Sequence, residues 1–195
     1  MMSYAMTHWL PVLVCGAALA LVQTASAQMP GERFKIPSGS MQPTLLPGTV
    51  VSSVKYAANA VPARGDIIAF RVPKDPKTIY LMRVIGLPGE RLQMINGVPH
   101  INGDAVKREK AEDFQAKDDG KTISVKRWRE TLPNGVIHET LDLVEAGPFD
   151  NTAVFTVPDA SLFVLGDNRD NAQDSRLSST GYVPTANVVA RITQP

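Results

Sequence analysis

The amino-acid sequence describes a mostly β protein: a compact, barrel-like core of short strands with an inserted β-rich lobe, preceded by an apolar N-terminal helix. Short β-branched and apolar runs recur along the chain, and its fifteen prolines and fourteen glycines fall mostly between them as turns. Helical periodicity is weak in that part of the chain. By contrast, Trp9 to Val22 is a strongly apolar run without a single charge.

Val50 to Val54 is short and β-branched, and Asp66 to Val72 follows the turn at Arg64-Gly65 as a strand. Thr78 to Ile85 is a further strand, ended by Gly86-Leu87-Pro88-Gly89. Arg91 to Ile95 and Val98 to Ile101 flank Asn96-Gly97, a two-residue hairpin turn. Ile123 to Trp128 and Val136 to Val144 alternate in part around the turn Pro133-Asn134-Gly135. Leu162 to Leu165 is apolar throughout, as a fully buried strand would be, and Val188 to Ile192 closes the series. Lys107 to Asp119 is charged and poor in large apolar side chains, so it reads as a solvated loop or the edge of the inserted lobe. The expected organisation is an apolar anchor or signal peptide over 1–27, a β-core over 28–103 and 152–195, and an inserted lobe over 104–151.

Composition excludes several classes. The net charge of +1 over 195 residues provides no phosphate-binding face, so no nucleic-acid partner is expected. A single cysteine, Cys15, precludes an intramolecular disulfide and a multi-thiolate metal site. No His/Glu pair has metal-ligand spacing, which argues against a metallopeptidase, and neither a metal nor an organic cofactor is expected.

No Asp, Glu, Lys or Arg precedes Glu32. The apolar run ends Thr24-Ala25-Ser26-Ala27-Gln28, and Ala25-x-Ala27 has the small-residue pattern of a signal-peptide cleavage site. Extended to about 19 residues, the same run could span a bilayer as an uncleaved anchor. Both readings stand. In a bacterial host either one exports the remainder.

Three segments carry candidate chemistry. The first, Ile36-Pro37-Ser38-Gly39-Ser40-Met41-Gln42-Pro43-Thr44-Leu45, places two serines about a glycine. The second, Tyr80-Leu81-Met82-Arg83-Val84-Ile85-Gly86-Leu87-Pro88-Gly89-Glu90, runs a strand into a tight turn. The third, Gly166-Asp167-Asn168-Arg169-Asp170-Asn171-Ala172-Gln173-Asp174-Ser175-Arg176, gathers carboxylates, amides and guanidiniums behind a buried strand. In this order, and with Arg64 to Phe70, Arg127 to Gly135 and Gly181 to Pro184 between or after them, they resemble the type I signal peptidases. These are membrane-bound serine endopeptidases that remove signal peptides from exported proteins. The resemblance runs from about Lys35 to Ile192.

That resemblance implies Ser40 as nucleophile, with the Ser38 hydroxyl beside the Ser40 backbone N–H in the oxyanion hole. Arg83, Asp167, Asp174 and Arg176 would brace the site. The substrates implied are signal peptides of exported preproteins with small residues in an Ala-x-Ala pattern, bound as an added strand. The main domain would sit on the periplasmic side of the inner membrane, or be soluble in the periplasm if the chain is cut after Ala27. With anchoring, the thirteen residues from Ala27 to Ser40 would keep Ser40 close to the bilayer.

The sequence departs from the family at two positions. The family's lysine general base precedes the arginine of the second segment, where this chain has Met82. The serine that hydrogen-bonds that lysine is Ala172 here. The losses are coupled, because a buried hydroxyl without its partner costs about 1–3 kcal/mol. Signal peptidases of the endoplasmic-reticulum type use histidine at the base position, but His8, His100 and His138 all lie elsewhere. Lys77, five residues before Met82, falls on the opposite face of a strand, and Lys35 looks solvent-facing. Two functions therefore stay open: an endopeptidase whose Ser40 finds another base, or a homologue that binds signal peptides or assists an active peptidase. A self-cleaving repressor is excluded by the lack of a DNA-binding helical domain ahead of the β-core.

Overall fold

The computed structural model describes residues 30–58, 60–118 and 120–193. The expected N-terminal helix, and the cleavage motif ending at Ala27, lie outside them. Among the described residues no helix is long and apolar enough to cross a membrane.

Fifteen strands and one 3-10 turn (Thr185–Asn187) occur among the described residues. The first seven are β1 (Pro30–Lys35), β2 (Val50–Val54), β3 (Ile67–Val72), β4 (Asp75–Gly86), β5 (Arg91–Ile95), β6 (Val98–Ile101) and β7 (Asp104–Ala105). Next come β8 (Lys107–Lys110), β9 (Phe114–Asp118), β10 (Lys121–Thr131) and β11 (Ile137–Asp142). The last are β12 (Phe155–Thr156), β13 (Ser161–Leu165), β14 (Val183–Pro184) and β15 (Val188–Thr193). The protein is mostly β, as expected.

The main sheet has seven strands in the order β1-β2-β15-β3-β4-β13-β14. A four-stranded sheet, β12-β5-β6-β7, covers one end. A third sheet, β11-β10-β8, is built on the long β10, whose first half also pairs with β9.

Strands β4 and β13 lie between two apolar clusters, which is why β13 reads as an almost wholly apolar run and β4 is buried from Leu81 to Gly86. Met82 and Val84 of β4, with Leu162 and Val164 of β13, pack into a cluster containing Val51, Ile68, Phe70, Met41 and Leu45. Ile85 and the alternate β13 residues Phe163 and Leu165 face a second cluster with Leu92, Met94 and Leu132. Period-two alternation thus distributes one strand's side chains between two cores.

The Asn96-Gly97 turn forms as expected. Both residues have positive φ, 50° and 74°, matching the twist of a two-residue hairpin. The charged stretch Lys107 to Asp119 corrects the loop reading, because it carries β8 and β9. Both add to β10 through the backbone while most of their side chains stay in solvent, so they need few apolar residues.

Candidate functional site

The loop after β1 is closed at its neck by two backbone bonds, Ile36 N–H to Thr49 O and Gly48 N–H to Ile36 O, each 2.8 Å. Met41 and Leu45, 1% and 2% exposed, hold its inner side in the core. Its outer side presents Ser38 and Ser40, whose hydroxyl oxygens are 3.2 Å apart. Among the described residues, the Ser40 amide donates no backbone hydrogen bond.

The loop is tied to the segment after β13. Asn168 donates from its backbone to Ser40 O at 3.0 Å and from its side chain to Gly39 O at 3.1 Å. Gly166 permits this approach. A Cβ there would stand 2.7 Å from Ser40 O and 2.3 Å from the Ala172 Cβ. Ala172 therefore packs where two segments meet, beside the Ser40 carbonyl.

A cleft of about 130 Å³ opens beside the serines, walled by Ser38, Ser40 and Met41 on one side and Tyr80, Leu81 and Met82 on the other. Along that cleft β4 has a free edge. Asp75 to Arg83 pair with β3 on one side, whereas β13 takes the other side only from Arg83 to Gly86. The stretch 79–82 thus offers a main-chain edge to an extended chain.

Met82 is 2% exposed and packs in the first apolar cluster. Every lysine among the described residues, Lys35 and Lys77 included, is exposed. His100 sits on β6 and His138 on β11, away from the lining of this cleft. Ser38, Ser40 and Met82 are thus brought together, with Ala172 behind them, and no described basic side chain stands in the cleft.

The opposite face of β4 carries the charges. Arg83 makes a two-pronged pair with Asp167, Nε to Oδ1 at 2.8 Å and Nη2 to Oδ2 at 2.6 Å. It also donates to Gly65 O at 2.9 Å. Thr44, from the serine loop, donates to Asp167 Oδ2 at 2.5 Å. Burial opposes both charges, but the attraction between them prevails. It holds the Arg83 guanidinium above its ordinary value and the Asp167 carboxyl below the usual carboxylate range. Asp174 and Arg176 form a separate buried pair, with Nε to Oδ1 at 2.9 Å and Nη2 to Oδ2 at 2.8 Å, and Asp174 also accepts from the Gly166 amide.

Sequence reasoning did not single out Asn168, Thr44, Glu130, Arg169 or His138. All but His138 lay within quoted segments, and the contacts of Asn168 and Thr44 follow from the chain's return to the serine loop. His138 is buried against Glu130, Asp167 and Arg83, and burial pushes its pKa down to about 4, so it is neutral at pH 7. Among the described residues no group of three or more His, Cys, Asp or Glu side chains is arranged to hold a metal ion.

The family model described as signal peptidase, peptidase S26, matches residues 6–195. Among curated relatives, signal peptidase I of Rickettsia prowazekii (strain Madrid E) is 34% identical over 187 residues, covering 82% of this chain and 69% of the relative. Signal peptidase I of Rickettsia akari (strain Hartford) is similar to the same extent, 34% over 187 residues. A solved signal peptidase I from Enterococcus faecalis V583 is 27% identical, covering 69% of this chain and 98% of that one, with a TM-score of 0.41.

Proposed function

Because the chain belongs to the signal peptidase family, peptidase S26, we propose that its cleft receives signal peptides of exported preproteins, with Ser40 at the scissile carbonyl and Met82 standing in place of a base. The peptide adds as a strand to the free edge of β4, where main-chain hydrogen bonds give affinity. Met41, Leu81 and Met82 make a shallow apolar wall, which suits the small residues of an Ala-x-Ala pattern. The Ser40 amide and the Ser38 hydroxyl face the position of the carbonyl oxygen.

Binding needs no base, whereas cleavage does. A hydroxyl becomes nucleophilic when a neighbouring group takes its proton. The Met82 thioether has no basic nitrogen, and no described basic side chain lines the cleft beside it. The reading is therefore of a homologue that holds signal peptides and cuts them slowly, or leaves them for an active peptidase. The observation that carries it is Met82, 2% exposed, on the wall of the cleft that Ser40 lines. A serine centre stripped of a catalytic partner still retains roughly 10³–10⁴-fold catalysis over water from its oxyanion hole and binding. One observation favours the second reading, a Ser40-dependent endopeptidase: the Ser38–Ser40 pair and the unused Ser40 amide are intact.

The location that fits this substrate is the periplasmic face of the inner membrane, with 1–27 as anchor, or the periplasm itself if the chain is cut after Ala27. The test uses the full chain in detergent with an Ala-x-Ala precursor peptide between pH 6 and 10. Saturable binding that survives Ser40→Ala, with turnover absent or within that residual range, supports the holding role. Turnover lost in Ser40→Ala that exceeds the roughly 10³–10⁴-fold over water left to a serine without its base replaces it with the endopeptidase reading.

A further inference from the structure

The segment Arg127 to Gly135 has no part in the cleft, yet it contains the one carboxylate of β10, and that carboxylate is fully buried. Glu130 is 0% exposed. It receives a two-pronged pair from Arg169, Nη1 to Oε1 at 3.1 Å and Nη2 to Oε2 at 2.6 Å. Arg108 Nε lies 3.9 Å and His138 Nε2 3.5 Å from the same carboxylate.

Arg169 is gripped on every side. Its Nε donates to Gly166 O at 3.2 Å, and its carbonyl accepts from the Arg176 guanidinium. Its amide donates to Leu141 O at 3.0 Å, while Leu141 N–H donates to Asp167 O at 2.8 Å. Leu141 and Asn168 form a parallel bridge, so the backbone 167–169 rides on the end of β11. The residue between these two bonds is Asn168, which holds both Gly39 O and Ser40 O.

We propose that Glu130 is a positioning residue for the Ser40 loop, acting through Arg169 and Asn168. The third sheet clamps the 167–169 segment by side chain at Glu130 and by backbone at Leu141, and that segment fixes the serine loop. This rests on the reading that the Ser40 cleft receives a peptide. A buried ion pair is weak as a device for stability alone, since apolar pairs of like size often serve as well. Its two-pronged geometry does fix where Arg169, and hence Asn168, must stand.

The test compares Glu130→Gln and the double variant Glu130→Met/Arg169→Met with the native full chain, by amide hydrogen exchange and by affinity for an Ala-x-Ala precursor peptide. The double variant removes both charges together and so stays folded even where Glu130→Gln strands a buried guanidinium. The expected result is local. Amides over 38–45 exchange at least about tenfold faster and the peptide binds about tenfold more weakly, as losing a buried charged hydrogen-bond partner allows. The hairpin 91–101 exchanges as before. Unchanged exchange over 38–45 in a folded variant overturns the proposal. Acceleration that includes the hairpin also overturns it, because that marks general stability rather than positioning. If 38–45 loosens locally but the native chain binds no peptide, the coupling stands and the peptide reading fails.

Discussion

Met82 and Arg83 are neighbours on one strand, and the two faces they occupy differ in kind. The Met82 face is an apolar wall beside two serine hydroxyls. The Arg83 face is a buried ion pair in which a guanidinium, a carboxylate and the Thr44 hydroxyl satisfy one another. Strand alternation separates them completely, so one face can change without the other. No described basic side chain lines the first face, while on the second the Arg83–Asp167 pair also accepts a hydrogen bond from Thr44 of the serine loop.

The strongest way to break that contrast is to refill the first face. Met82→Lys/Ala172→Ser is expected to gain cleavage of an Ala-x-Ala peptide by roughly 10²–10⁴-fold over the native chain, the usual range for a positioned general base. The gain should vanish when Ser40→Ala is added. A refilled variant that binds peptide but gains nothing would show that the second face has drifted too. Disrupting that face should have a comparable effect on stability. Arg83→Met leaves Asp167 buried without its partner, at an expected cost of about 3–5 kcal/mol in urea unfolding. A cost below 1 kcal/mol would mean that Asp167 finds another partner or takes up a proton.

Much of the fold was legible in the residues. Val50–Val54, the Asn96-Gly97 hairpin and Leu162–Leu165 carry their own signals in β-branching, turn chemistry and unbroken apolarity. β8 and β9 were not legible as strands, because most of their charged side chains, Arg108 apart, face water and they join the sheet chiefly through the backbone of β10. β7, β12 and β14 are two-residue ladders, too short for any periodicity. At the site, the serine loop and the residues after β13 could be read from their ordered segments. Glu130 and His138 could not. Both are buried and polar; they meet each other only across paired strands, and Arg169, Asp167 and Arg83 reach them from distant segments, so nothing local marks them.

His138 yields the next prediction, because it lies against the Arg83 face. Its folded pKa is about 4 and its unfolded value is about 6.5. Between those values the unfolded chain holds a proton that the folded chain does not. Stability from this group is therefore complete above pH 6.5 and declines as the pH falls toward 4, by up to about 3 kcal/mol. Neither ring nitrogen makes a hydrogen bond among the described residues, so His138→Leu leaves no new orphan at pH 7. Urea unfolding at pH 7, 5.5 and 4.5 should show a steeper loss in the native chain than in His138→Leu. Parallel losses would mean that His138 titrates in the folded protein as it does in the unfolded one. The Asp167 carboxyl, held low by Arg83, enters only near and below the ordinary aspartate range, outside that window.

The smallest effect is the sharpest on the contrast itself. Met82→Leu replaces one buried hydrophobe by another of similar volume, in a cluster that includes Ile68, Val84 and Val164. Such swaps cost less than about 1.5 kcal/mol in a well-packed core, because shape changes but no polar group is orphaned. Next door, Arg83→Met is expected to cost at least twice that, although it too ends in a buried apolar side chain. The difference arises from what each substitution leaves behind: a slight misfit on one face, an unpaired carboxylate on the other. Urea unfolding of the two variants side by side measures it. If Met82→Leu proved as costly as Arg83→Met, the Met82 sulfur would have to be making a specific interaction with the serine loop, and the first face could no longer be regarded as plain packing.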